Sequence, residues 1–163
     1  MADDIDTFRI KSPDIRVMRT ERVRLVRMLR SLLPYGDIHE VGSTAAVGVT
    51  GKQDLDFVIK VEFEKFEAAK ESLDRDFSRN LNQISDNCIQ GYRAESPLDV
   101  ALQLIVVNSN YDVFDSFLCM LKQDSVLREA YNRLKVQFDG QPMDEYRQAK
   151  SAFISNALLK YRG

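Results

Sequence analysis

Residues 54–61, Asp-Leu-Asp-Phe-Val-Ile-Lys-Val, constrain this chain more than any other stretch. The opening alternation of polar and apolar residues predicts a strand with one buried face, because residues two apart point the same way. Asp54 and Asp56 then share one face, while Leu55 and Phe57 go to the other. Two carboxylates side by side repel one another, and a divalent cation is the usual reason to keep the pair. Mg²⁺ takes oxygen ligands, commonly one or two carboxylates together with substrate phosphates. Ten residues separate this strand from Val41-Gly42-Ser43. There the pattern predicts a short strand over 38–41, a tight turn at Gly42-Ser43 and a short helix starting at Thr44. Gly42 permits close approach of a backbone. The Ser43 hydroxyl and the free N–H groups of a helix start can hold a phosphate. One segment thus offers an anion cradle followed by a metal-binding pair.

The rest of the chain supplies a setting for that segment. Residues 1–13 are polar, end at Pro13 and predict a loose arm with a short strand at Phe8-Arg9-Ile10. From Asp14, a candidate cap, an apolar stripe through Val17, Leu25, Leu29 and Leu33 predicts a helix that stops at Pro34-Tyr35-Gly36. Residues 62–73 carry helical spacing, 74–86 read as a polar turn, 87–94 as a weak strand and 98–107 as a strong one. Three helices follow, over 111–121, 125–138 and 142–160, with Pro142 suited to a first turn.

Composition excludes several classes. With 163 residues the chain fits one domain, taken as residues 14–163 behind the arm. A net charge of −2 gives no strong nucleic-acid signal. Arg16, Arg19, Arg22, Arg24, Arg27 and Arg30 form a local basic cluster, read as a solvated helix face rather than a nucleic-acid surface. Two cysteines without metal spacing, and no leader, point to the reducing cytoplasm. No apolar run spans a membrane, so no membrane partner is expected.

The pattern Val41-Gly42-Ser43, spacer, Asp54-Leu55-Asp56-Phe57 resembles the active-site signature of the nucleotidyltransferase superfamily, the polymerase-beta-like fold. Residues 39–52 look like the GrpB family within it, and the likeness continues through 130–135 and 146–154. Two positions depart from many relatives: Gln53 stands where proline is usual, and Asp54 where an apolar residue is usual. The second departure brings the chain closer to the active superfamily pattern. The resemblance implies an α/β fold: a small mixed sheet flanked by helices, with a helical C-terminal section closing over it. It implies a nucleoside triphosphate as substrate, Mg²⁺ or Mn²⁺ as cofactor, and an unknown acceptor, whether small molecule, RNA or protein.

It also implies roles for residues. Asp54 and Asp56 would be catalytic metal ligands. A third carboxylate normally comes from a neighbouring strand, and Asp99 is the candidate, with Gln103 as its rival. Gly42 and Ser43 would hold phosphate. Lys52 either neutralises phosphate oxygens or is a solvated loop lysine. Tyr131 and Lys135 are four apart, as are Tyr146 and Lys150, so each pair shares a helix face. The tyrosines read as packing residues, and Lys150 as the triphosphate-binding lysine. His39, the single histidine, reads as structural. Two other readings stay open: a non-catalytic nucleotide-binding or interaction protein on this fold, and a toxin-like transferase supported only by the arginine-rich first helix.

Overall fold

The computed structural model describes residues 6–10, 14–41 and 54–162. The sheet is mixed, as expected. Its five strands are β1 (Asp37–Val41), β2 (Asp54–Val61), β3 (Ser78–Arg79), β4 (Ile89–Arg93) and β5 (Asp99–Val106), in the order β1-β2-β5-β4-β3. Only the β2–β5 pair is parallel; β1–β2, β4–β5 and β3–β4 are antiparallel. A parallel pair needs a long crossover, and here α2 (Phe66–Asp74), β3 and β4 all lie between the two strands in sequence.

Period-two alternation gives β2 and β5 two unlike faces. Leu55, Phe57, Ile59 and Val61 join Val100, Leu102, Leu104 and Val106 in one core. Over them lie Leu25, Leu29 and Leu33 at α1 (Ile15–Leu32), and Phe66, Ala69 and Leu73 of α2. Each fully buried side chain of this size contributes roughly 1.5–3 kcal/mol. The opposite face carries Asp54, Asp56 and Val58 beside Asp99, Ala101, Gln103 and Ile105. It is covered by α3 (Phe114–Gln123), α4 (Ser125–Phe138) and α5 (Met143–Arg162), where Val58 and Ile105 pack with Phe117, Leu121, Tyr131 and Ala157. The helical C-terminal section therefore closes over the acidic face.

Local signals explain the helix ends. The Asp14 carboxylate accepts from the N–H groups of Arg16 and Val17 at 3.1 and 3.3 Å, and that of Asp124 caps α4 by accepting from Leu127 N–H at 3.0 Å. Between α4 and α5 the chain reverses at Gly140, whose φ of 86° is a left-handed conformation that glycine adopts without strain. The first covering helix begins at Phe114, three residues later than its periodicity predicts, because turns occupy 107–113. The 74–86 stretch is not wholly a turn, since Ser78 and Arg79 add a two-residue edge strand to β4.

Residues 6–10 differ from a loose arm. Phe8 is buried and stacks on Tyr146 at 3.8 Å between ring centroids. Its N–H donates to Gln141 C=O, and its C=O accepts from Gly140 N–H. The expected strand at 8–10 is a single bridge, Thr7 to Pro142, because the α4–α5 turn offers only a short edge to pair with.

The arginine-rich helix is partly spoken for. Arg22 binds Glu40 through two hydrogen bonds at 2.6 and 3.0 Å. Arg24 donates to the buried Glu21 at 2.6 Å and to Glu95 C=O at 3.0 Å. Ser96 also donates to Glu21, at 2.7 Å, so this carboxylate ties α1 to the turn between β4 and β5. Arg24, and then Ser96, hold the Glu21 carboxyl below its ordinary range. Glu21→Ala should therefore cost about 1–3 kcal/mol, the usual cost of orphaning the partners of a buried acceptor. A depressed carboxyl stabilises above its unfolded pKa and loses that contribution as pH falls through the folded value. Thermal melts should show the parent–variant gap at neutral pH and its narrowing in acid.

Candidate active site

The site is built on β2. The register sets Asp54 opposite Asp99 on β5, and Asp56 opposite Val41 on β1. Asp54, Asp56 and Asp99 therefore stand at one end of the sheet on the face toward the C-terminal helices. Gln103 lies opposite Val58, further along β5, and its buried Oε1 takes no hydrogen bond among the described residues. No group of three or more His, Cys, Asp or Glu side chains among the described residues converges as a metal cage. Gly42, Ser43, Lys52 and the short helix expected after them lie outside the described residues.

The covering helices bring four side chains together, and three of them, Tyr131, Lys135 and Tyr146, feel the charge of the carboxylates. Tyr131 and Lys135 sit one turn apart on α4, at 2% and 1% exposure. Tyr146 and Lys150 hold the matching positions on α5, with Tyr146 buried and Lys150 half-buried. Lys135 Nζ lies 4.2 Å from the Tyr131 ring centroid, a cation–π contact made strong by burial. Tyr131 also stacks on Phe153 at 5.4 Å and meets the edge of Phe117 at 5.4 Å, which fixes its ring. Its phenol shares a hydrogen bond with Tyr146.

Electrostatics record how close these groups are. Burial pushes the Lys135 ammonium down to about 7; Lys150 acts in the same direction, while the Asp54 and Asp56 carboxylates oppose both. Burial raises the Tyr131 phenol, and the charges of Asp56 and Asp54 raise it further. Burial likewise raises the Tyr146 phenol, with Lys150 pulling the other way. A buried lysine between carboxylates and a second lysine is a perturbed cluster of the kind that gathers at functional sites.

The tyrosines do pack, as their spacing predicts, but they pack against the acidic face. Lys135, which the sequence offers only as the partner of Tyr131, is the more deeply buried lysine of the two. The signal for it is the repeated Tyr-x-x-x-Lys spacing on both helices. His39 lies on β1, with Nε2 2.8 Å from Asp37 Oδ2, close enough for an ion pair but not angled as a hydrogen bond. Cys88 and Cys119 are free thiols. No helix among the described residues is long and apolar enough to cross a membrane.

A five-stranded mixed sheet with this acidic strand at its heart, and helices on both faces, is the nucleotidyltransferase-like fold. A crystal structure of Cid1 poly(U) polymerase bound to MgATP superposes with a TM-score of 0.51 at 14% identity, over 77% of this chain and 42% of that one. Within that class the chain belongs to the GrpB family, whose model, described as GrpB protein, matches residues 16–160. The GrpB protein from Enterococcus faecalis is similar at a TM-score of 0.68 and 17% identity, covering 94% of this chain and 98% of that one. A UPF0157 protein of Vibrio cholerae serotype O1 is 30% identical over 136 residues, 80% of this chain and 70% of its own length.

Proposed function

We propose that this chain is a metal-dependent nucleotidyltransferase that moves a nucleotidyl group from a nucleoside triphosphate to an acceptor. One observation supports the reading: α4 buries Lys135 where it feels the charges of Asp54 and Asp56 on β2 and of Lys150 on α5. Anionic and cationic groups packed together in this way suit a polyphosphate held through a divalent ion. The MgATP bound by Cid1, a distant neighbour of the same fold, supports that choice of ligand.

Asp54 and Asp56 present hard oxygen ligands from one strand face, a pair that suits Mg²⁺ or Mn²⁺ with substrate phosphates completing the shell, and Asp99 on the adjoining strand would join them only once a cation draws the three together. When bound, such an ion supplies Lewis-acid stabilisation of charge on the phosphate oxygens. Lys150 then neutralises the triphosphate from the helical side, with the buried Lys135 behind it. Gly42 and Ser43 cradle its phosphates, and Lys52 adds charge beside them. An acceptor oxygen attacks the α-phosphorus, forming a new P–O bond as the bond to the β-phosphate bridge breaks. Pyrophosphate leaves, and the acceptor's proton passes to an Asp99 carboxylate oxygen.

Binding tests the reading most directly. A ligand that binds only the native state raises the melting temperature. A nucleoside triphosphate with Mg²⁺ should do so for the parent, and Asp54→Asn combined with Asp56→Asn should remove the shift. An equal shift in the double variant would place the nucleotide elsewhere.

A further inference from the structure

Beside the acidic face lies a cavity of about 110 Å³. Val41, Phe117, Leu121 and Ile154 line it, while its polar side chains are Tyr131 and Lys150. Its location is fixed by two facts. Val41 is the register partner of Asp56, and Tyr131 feels the charge of Asp54 and Asp56. Val41 thus sets one apolar wall against the acidic strand, and Tyr131 and Lys150 supply the polar atoms of the lining.

Such a space has a definite chemical preference. A cavity of about 150 Å³ walled by Leu, Ile and Phe stays dry and takes up benzene. This one is slightly smaller and walled alike, so it suits an aromatic ring or a short acyl chain. A nucleobase suits it poorly. Ring nitrogens and carbonyls need partners when buried, and among the described residues the walls offer one phenol and one ammonium. Lys150 adds a charge requirement: a flexible ammonium over an apolar pocket favours an anionic head.

We infer that this cavity binds the apolar body of a small organic anion, whose carboxylate or phosphate head pairs with Lys150 Nζ. The inference goes beyond the transfer reading and stands without it.

Calorimetry on the full chain, without nucleotide, tests it with four probes: benzoate, phenyl phosphate, benzene and adenosine. Benzoate or phenyl phosphate should bind saturably, the tighter of the two identifying the head, and benzene should bind more weakly. Lys150→Met should weaken the preferred anion about tenfold, the scale of one charged hydrogen bond, and leave benzene within about twofold. Ile154→Trp should fill the cavity and weaken all three apolar probes about tenfold or more. Leu121→Phe serves the same purpose if the larger change unfolds the chain. The inference is overturned if neither anion binds, if Lys150→Met weakens benzene as much as the anion, or if adenosine displaces the bound anion. Nucleotide titrations of the same parent sample read the transfer proposal separately, so one can fail while the other survives.

Discussion

Asp56→Ala should abolish nucleotidyl transfer, lowering its rate by at least ~100-fold, the scale lost when a preorganised charge-stabilising group is removed from a reacting phosphate. The assay follows label from the α-phosphate of each nucleoside triphosphate, with Mg²⁺ or Mn²⁺, in a cell extract containing RNA and small metabolites. Label should appear on an acceptor in step with pyrophosphate. Asp99→Ala should fail likewise, because Asp99 faces Asp54 across the β2–β5 pair. If Gln103→Ala alone matters, the third ligand lies further along β5 than proposed. Metal-dependent binding without transfer of any of the four nucleotides would leave a nucleotide-binding protein on this fold as the better account.

Lys135→Ala should be the most destabilising substitution in the covering helices. Its side chain is 1% exposed, lies against the Tyr131 ring and shares its surroundings with Asp54 and Asp56. Emptying the space of a fully buried side chain this large typically costs about 3–5 kcal/mol. For a chain of this size each 1 kcal/mol moves the melting temperature by about 2–4 °C, so the loss should exceed roughly 6 °C. The compensating variant is the sharper measurement. Lys135→Met combined with Asp54→Asn and Asp56→Asn removes both signs together, and thermal melts should recover most of the loss. A triple variant no more stable than Lys135→Met alone would mean that the lysine stabilises through packing against Tyr131 rather than through charge.

Several parts of the site could be read from the chain alone. The alternation at 54–57 dictates that the two aspartates share a face, since period two is a property of any strand. Asp14 can cap α1 because a carboxylate is the local partner for free N–H groups. The Tyr-x-x-x-Lys spacing places Tyr131 with Lys135, and Tyr146 with Lys150, through the helical repeat. The mixed α/β class follows from the same local periods, once the motif is joined to the helices behind it.

What the chain alone leaves open is everything that depends on which element meets which. Local periodicity carries no record of strand order. The parallel β2–β5 pairing that sets Asp99 against Asp54 exists only because β4 folds back on the far side of β5. The burial of Lys135 is likewise invisible in its own helix, where a lysine reads as a solvated residue; α4 must first be laid on the acidic face. Phe8 looks like one apolar residue in a polar arm until Tyr146 and the α4–α5 turn give it a ring to stack on and a backbone to bond. The sequence by itself determined most of the longer elements, the Asp14 cap and the acidic pair, because those rest on interactions within a few residues, whereas the short edge strand at Ser78–Arg79 needed β4 to pair with. The tertiary structure alone decided that two lysines and two tyrosines meet that pair, because burial and charge proximity arise only when distant segments pack.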